Sequence, residues 1–445
     1  MIAEQPLVDL AIVGAGFAGM SAAIFAGARG LSTVQVGNAG ALLFSSGPLD
    51  LMGVHPVEEG RTWSDPFAAA AAVARDIPGH PYARVDAQSI RAAFVEIVAA
   101  LGEAGLDYGP LGDANRELVT GAGTVKTTYC VPRSMLANVE ALAGRVPCLL
   151  VDFHGLREYS AAGIVAALSE RWPRLRALRV EFRAGVAAGE THAAHLARAL
   201  ELAASRAALA EQIRPHLADA RAVGLPAVLG LRRTDAIAAD LAGQLGVPVF
   251  EVPTIPTSVP GLRLKDAFER AVARRGVRRI VQRRAIAVVL EADHFALHLE
   301  DAPPGSAPLR ARAVVLATGR FMGHGLVADR SRIRETLLDL PVVQPASRSA
   351  WHQADFFDPR GHAVNRAGVS VDETFRPCDA AGQRVHPRLF AIGTLLAHHD
   401  WARTKCGAGV AIVSARAAIL AAAQELGTAP TAQPAPGGAP APEAA

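Results

Sequence analysis

The sequence predicts an α/β fold in two parts, one parallel-sheet domain interrupted by a second. Three observations carry this expectation. Residues 7–36 read as strand, glycine turn, helix and strand. From about Val146 to Val252 short apolar runs alternate with helical stretches, as parallel-sheet units do. After Pro253 the chain yields further apolar strands ending in small-residue turns, which suit a return to the first sheet.

The opening unit is the most informative. Leu7-Val8-Asp9-Leu10-Ala11-Ile12-Val13 is short and apolar, as a buried parallel strand requires. Gly14-Ala15-Gly16-Phe17-Ala18-Gly19 follows at once, then an Ala-rich helix to about Arg29 with Gly30 as its stop. Leu31–Val36 is the second strand. In such a unit the glycines serve a tight turn, close approach to a phosphate, and helix–strand packing. The helix start offers free N–H groups and a partial positive charge to that phosphate. This context, more than the GxGxxG pattern alone, marks a nucleotide-cofactor site of the Rossmann type.

The Gly/Ser-rich run Gly37–Leu51 follows the C-terminal end of a strand, where open α/β sheets bind ligands. Ser45 and Ser46 there are candidates for a cofactor phosphate or ring edge; an ordinary turn-rich loop is the alternative. Helices are expected over 64–77 and 87–104, then a turn and strand over 121–129. Lys126 with Thr127 and Thr128 suits an anion, and a solvent-facing strand edge accounts for them equally well. The inserted module is expected as strand 146–153, helix 158–171, strand 178–182, helix 192–219, strand 226–231, a further helix and strand 247–252. His192 and His195 have a metal-compatible spacing but no acidic or cysteine partner nearby.

A helix is expected from Gly261 to about Gly276, with Arg263 near its start, placed for a phosphate or carboxylate or simply for the surface. Ala313–Gly319 and Leu389–Thr394 are strands ending in glycine turns. Cys406-Gly407-Ala408-Gly409-Val410 opens the last helix. Between the last two turns lies His398-His399-Asp400, a candidate for proton transfer or a solvated loop. Arg334 and His324 are further candidate polar groups at the ligand rim.

Composition narrows the class. Of 445 residues 51% are apolar and 20% charged, ordinary for a globular chain long enough for two domains. A net charge of +3 points to no nucleic acid. Cys130, Cys148, Cys378 and Cys406 form no CxxC pair, so neither an iron–sulfur cluster, a zinc site nor a disulfide framework is expected, and a reducing cytoplasm is. Glu4 and Asp9 argue against a signal peptide. The apolar run Gly407–Leu426 is broken by Arg416 and reads as a buried helix. The Ala/Pro/Gly tail after Gly427 is expected to be disordered. The expected domains are therefore 1–145 and 253–428 as two pieces of one, 146–252 as the insertion, and 429–445 as tail.

The opening GAGFAG, the strand ending in ATG, and AIG before a glycine-led helix resemble flavoproteins of the fumarate-reductase and glycerol-3-phosphate-dehydrogenase class. A closer resemblance covers residues 7–426, to the B subunits of bacterial anaerobic glycerol-3-phosphate dehydrogenases. LLFSSGPLDL at 42–51, HPY at 80–82, PTSVPGLRL at 256–264, GLVADR with IRE at 325–335, DFF at 355–357, VDETFRP at 371–377 and CGAGV at 406–410 carry it. It implies a Rossmann-type flavin-binding domain with an inserted second α/β domain. It further implies FMN as cofactor, with FAD the alternative, a larger FAD-bearing A subunit, and an iron–sulfur C subunit that links the pair to the cytoplasmic membrane. The implied reaction is oxidation of sn-glycerol 3-phosphate to dihydroxyacetone phosphate with electrons passed to quinone. Flavin contacts then fall on Gly14, Gly16, Gly19, Ser45, Ser46, Thr318, Gly319, Gly393 and Gly409. Arg263, Arg334 and His324 are the expected polar groups nearest the flavin ring. A stand-alone flavin oxidoreductase and a flavin-free assembly subunit are the competing classes. No Asp or Glu lies between Leu31 and Pro48 to take the ribose hydroxyls of FAD, which favours FMN. Gln35 or Asn38 would be neutral substitutes.

Overall fold

The structure is a computed structural model and describes residues 6–182, 191–303 and 306–428. The tail expected to be disordered lies outside them from residue 429 onward.

The chain opens with β1 (Leu7–Val13), α1 (Phe17–Ala28) and β2 (Thr33–Val36). Helices α2 (Pro66–Asp76) and α3 (Ala87–Glu103) each start at an aspartate. Asp65 accepts from the amides of Phe67 and Ala68, and Asp86 from that of Ser89, so the free N–H groups of both helix starts find side-chain partners. A hairpin, β3 (Arg116–Val119) and β4 (Val125–Thr128), precedes α4 (Leu136–Gly144).

The next stretch builds its own sheet. It runs β5 (Cys148–Phe153), α5 (Ala161–Ala167), β6 (Leu175–Val180), α6 (Ala193–Leu200), α7 (Ala203–Ile213), β7 (Ala222–Pro226), α8 (Thr234–Leu245) and β8 (Val249–Val252). The strands pair in parallel in the order β6-β5-β7-β8. Every residue of β5, β7 and β8 is buried, as strands covered by helices on both faces must be. This sheet has its own apolar core around Leu150, Val223, Phe250 and Trp172.

The chain then re-enters the first sheet through α9 (Val259–Arg274) and β9 (Arg278–Ile280). The hairpin β10 (Ala285–Leu290) and β11 (Phe295–Leu299) leads into β12 (Leu309–Leu316). Two short pairs follow, β13 (Leu326–Ala328) with β14 (Ile333–Glu335), and β15 (Val342–Val343) with β16 (Gly368–Val369). Last come β17 (Leu389–Ala391), α10 (Trp401–Thr404) and α11 (Gly407–Glu425). The seven-stranded sheet has the order β10-β11-β12-β1-β2-β9, with β17 joined to the far half of β12. β1 lies parallel between β12 and β2, so the first and the late strands form one nucleus. This is the Rossmann-type arrangement expected for the first domain. Among the described residues α11 is the one helix long and apolar enough to cross a membrane, and two-thirds of it is buried in the protein, as a core helix is.

Two local expectations shift, and one hairpin is not foreseen. The strand expected at 178–182 starts at Leu175, because β6 pairs along the whole of β5 from Cys148 opposite Leu175. The apolar run expected as strand 226–231 is mostly a buried loop. There the Leu229 amide donates to Glu251 Oε1 at 2.7 Å and the Leu231 amide to Glu201 Oε1 at 2.9 Å, so carboxylates replace a neighbouring strand. The β10–β11 hairpin shows no clear alternation in sequence, since β10 is half exposed and its register slips between Ala285 and Ala287.

Arg263 explains how the two sheets are joined. It is 5% exposed and pairs bidentately with the fully buried Glu251 of β8, at 2.6 and 2.8 Å. Its Nε donates to Gly230 O at 2.8 Å, and Ser134 Oγ donates to Glu251 Oε2 at 2.7 Å. The guanidinium is thus committed to a carboxylate of the same chain. The bidentate carboxylate partner that its place near a helix start suits is Glu251 of the same chain, which takes up the guanidinium expected near the flavin ring. Removing one member of such a pair leaves an uncompensated buried charge, a loss of about 3–5 kcal/mol. Arg263→Met should therefore lower the urea midpoint strongly, as followed by circular dichroism.

Candidate active site

Three glycine turns from distant parts of the chain converge. Gly14 has φ +118°, and a Cβ on it would lie 2.2 Å from Ala317 O, at the end of β12. A Cβ on Gly19 would lie 2.1 Å from Gly14 O. Both positions are glycine because backbone passes against backbone. Gly16 differs: a Cβ there would meet nothing within 4 Å. It is the N-cap of α1, with no side-chain cap and no acidic residue in the first turn. The open space above Gly16 therefore faces bare helix N–H groups, the condition for holding a phosphate.

Gly319 and Gly393 both take left-handed backbone, at φ +69° and +68°. A Cβ on Gly319 would approach Thr394 Oγ1 to 3.3 Å, and one on Gly393 would approach Ala18 Cβ to 2.5 Å. Thr318, Gly319 and Gly393 thus lie in one rim with the first turn. Thr318 Oγ1 is buried without a partner, as is Gln35 Oε1 below the turn. Ser45 is half-buried, with its Oγ accepting from Gly47 N at 3.2 Å and its carbonyl from Ser258 Oγ at 2.8 Å. Ser46 is half-buried beside it. Gly409 is glycine for another reason: a Cβ would lie 2.1 Å from the Tyr82 hydroxyl, which donates to Leu51 O at 2.6 Å.

Beyond this rim is a group of buried polar side chains. Arg320 is 9% exposed and donates to the carbonyls of Asn365, Leu396 and His399. No carboxylate pairs with it among the described residues, and burial lowers its pKa to about 10. His399 and His80 are buried, with ring centroids 6.0 Å apart. Burial holds His80 uncharged down to about pH 3 and pushes His399 well below the usual histidine range. His80 Nδ1 accepts from Tyr82 N at 3.1 Å, so the neutral ring carries its proton on Nε2. That Nε2 has no partner, and neither has His399 Nε2. Lys126 and Asp50 pair at 2.7 Å nearby, and Asp50 Oδ1 is buried without a partner.

Known proteins place this arrangement. Residues 9–410 match the FAD binding domain family. The B subunit of the anaerobic glycerol-3-phosphate dehydrogenase of Pectobacterium atrosepticum is 31% identical over 92% of this chain and 96% of its own. A probable counterpart in Halobacterium salinarum is 32% identical over 94% of this chain and 98% of its own. The chain belongs to this B-subunit family. Among solved structures, an open flavocytochrome c3 fumarate reductase is 12% identical over 95% of this chain and 79% of its own, with a TM-score of 0.43.

The protein is therefore a flavoprotein, and the residues present fit that cofactor. The open N–H groups at Gly16 suit its phosphate, and the unpartnered Thr318 Oγ1 lies at the same rim. Of the three polar groups expected near the ring, Arg263 is in the ion pair described above. His324 is exposed at φ +59°, between Gly323 and Gly325, which pack on Thr318 and Gly319. Arg334 is exposed on β14, its Nε 3.8 Å from Asp329 Oδ2. Arg320, His80 and Asp50 do not stand out as site residues in the sequence; HPY contains His80 and LLFSSGPLDL contains Asp50, as motifs without a stated role.

Gly16→Val should leave the urea midpoint near wild type, since its side chain enters open space, while flavin content falls to a small fraction. Gly14→Val should instead lower the midpoint. Absorbance per mole of folded protein separates the two. The buried histidines also set a pH dependence. Unfolded histidines take up protons below about pH 6.5, and the native rings do not, so the unfolded state binds more protons and stability falls with pH. The loss is about 1.4 kcal/mol per histidine for each pH unit below that value. The melting temperature should drop from pH 6.5 to 5, and His80→Asn, which keeps an acceptor for Tyr82 N, should flatten the slope.

Proposed function

We propose that this chain is the FMN-bearing subunit of a three-part anaerobic glycerol-3-phosphate dehydrogenase. In this reading it works with a larger FAD-bearing A subunit and an iron–sulfur C subunit at the inner face of the cytoplasmic membrane. The complex oxidises sn-glycerol 3-phosphate to dihydroxyacetone phosphate and delivers the electrons to quinone. The observation that carries the reading is the open helix start at Gly16, set among three glycine turns in a chain similar to these B subunits over nine-tenths of its length. Gly14, Gly16, Gly19, Ser45, Ser46, Thr318, Gly319, Gly393 and Gly409 form the cofactor rim in this reading.

Bound flavin supplies the two-electron acceptor. The protein's own part is to hold the cofactor, exclude water and present polar atoms. His80 Nε2–H offers a donor and Asp50 Oδ1 an acceptor, both buried and unpartnered. The Arg320 guanidinium supplies a positive field there, and the neutral His399 imidazole beside it adds no second charge.

The preference for FMN rests on the end of β2. Residue 37, where the strand reaches the turn, is a glycine at φ +140°. A Cβ there would lie 3.1 Å from Ala15 N and 3.2 Å from Gly14 Cα, so a carboxylate side chain at this point would press on the turn. Gln35 is buried and donates to Gly14 O at 3.2 Å, which leaves Asn38 as the polar group nearby. Without an acidic acceptor FAD loses a charge-assisted hydrogen bond of about 1.5–3 kcal/mol, and FMN loses nothing. The matched family is named for FAD, so the decision is chemical. Heat release of the cofactor followed by chromatography and mass measurement should give FMN. Stoichiometric FAD would overturn the choice, and a colourless protein that takes up neither flavin would overturn the whole reading.

A further inference from the structure

Three chain segments are stitched together beside the start of α11. Leu49 and Cys130 exchange backbone hydrogen bonds at 2.8 and 3.0 Å, which sets Asp50 beside the end of β4. Gly53 N and Val54 N both donate to Thr404 O at 3.0 Å, and Gly409 N donates to Asp50 O at 2.7 Å. A Cβ on Gly53 would lie 2.9 Å from Lys405 Cβ, so the Lys405 stem runs directly over this loop.

The side chains that result are unusual in their charge. Lys126 pairs with Asp50, while Lys405 has no hydrogen-bond or ion-pair partner among the described residues. Lys405 is exposed; partial desolvation, and then the charge of Lys126, lower its pKa, which places the two ammonium groups within each other's field. Asp400 also acts on Lys405 and on Arg320, so the three cations Lys126, Lys405 and Arg320 stand against the two carboxylates Asp50 and Asp400, and one positive charge is left unbalanced. The N-terminus of α11 adds to it, since Cys406 gives it no side-chain cap and its first turn carries no acid. Thr128 lies two residues after Lys126 on β4 and therefore on the same face. It is 1% exposed, and its Oγ1 is buried without a partner. A buried hydroxyl left unsatisfied costs free energy that a ligand oxygen would recover.

We propose that Lys126, Thr128 and Lys405, gathered round the start of α11, form a site for the phosphate group of a phosphate monoester substrate. A phosphate dianion answers each feature: it takes the unbalanced charge, the unpartnered hydroxyl and the uncapped N–H groups together. The site lies at a different helix start from the open turn at Gly16. The proposal rests on the reading of this chain as a flavin subunit that meets glycerol 3-phosphate.

The test uses the full chain as purified, with flavin content measured first by absorbance. Isothermal titration with sn-glycerol 3-phosphate, inorganic phosphate and glycerol should show the first two competing and glycerol not binding. Lys405→Met should weaken both phosphate ligands about tenfold to a hundredfold, and Thr128→Val about fivefold, with flavin content and melting temperature unchanged. Neither substitution removes a contact made within the protein, so both variants should fold. Unchanged affinity in both variants, or no phosphate binding at all by a flavin-loaded protein, overturns the proposal. Loss of flavin from Lys405→Met also overturns it, since the phosphate held there would then be the cofactor's. Absence of flavin from the wild-type chain is a different failure. It removes the flavin reading, while the phosphate titration still reports on this site.

Discussion

The fold depends on one close contact, where the turn after β1 meets the end of β12. Gly14 faces Ala317 O with no room for a Cβ, and Gly19 faces Gly14 O in the same way. These contacts join the first strand to a late one, so the sheet cannot close until the chain has been placed as far as Ala317. They also fix the mouth of the site, because Thr318 and Gly319 are the next residues. Gly393 completes the rim by packing on Ala18 of α1. Two of the three glycines in the opening motif are thus tied up in making the cradle. Only Gly16 faces open space.

The inserted sheet is attached in a different way. Its own core is apolar and complete, but its junction with α9 is a buried ion pair. Glu251 takes Arg263, Ser134 and the Leu229 amide, so each carboxylate oxygen has two partners. Such a pair contributes less to net stability than to register, since an apolar replacement of equal shape would pack as well. It holds the start of α9 against the turn before Ser45, where a Cβ on Gly261 would lie 2.5 Å from Leu43 O. The far sheet thereby steadies one wall of the cofactor rim.

The glycine turns were legible in the sequence because their requirement is local. A strand, a GxGxxG and a helix start stand within a dozen residues, and each late turn ends its own strand. Lys126 with its threonines was legible as a candidate anion site for the same reason. Of the buried polar group, with Lys405 beside it, only His399 was legible, since the others come from four further places. Arg320 follows the ATG turn, His80 sits in a loop, Asp50 in another, and Lys405 in a left-handed residue between two helices. Single residues of these types are ordinary, and only the backbone pairing of residues 49–54 with 130 and 404–409 brings them together. The partner of Arg263 was hidden for the complementary reason. The arginine's place near a helix start suits an anion, and the anion it meets is a carboxylate of its own chain, which is invisible until β8 is placed.

The electrostatics of the buried polar group follow from burial. Arg320 cannot lose its proton at any ordinary pH, so its charge persists although only carbonyls and an imidazole face it. The imidazoles respond in the other direction: burial and the neighbouring guanidinium keep His399 neutral, and burial does the same for His80, which stops positive charge from accumulating in one dry space. Asp50 and Asp400 balance part of what remains, through Lys126 and through proximity to Arg320. What is left over is a positive excess beside two uncapped helix starts, with several buried oxygen and nitrogen atoms still unpaired. A protein interior leaves such groups unpaired where a ligand completes them, and the sign of the excess selects anionic ligands over neutral ones.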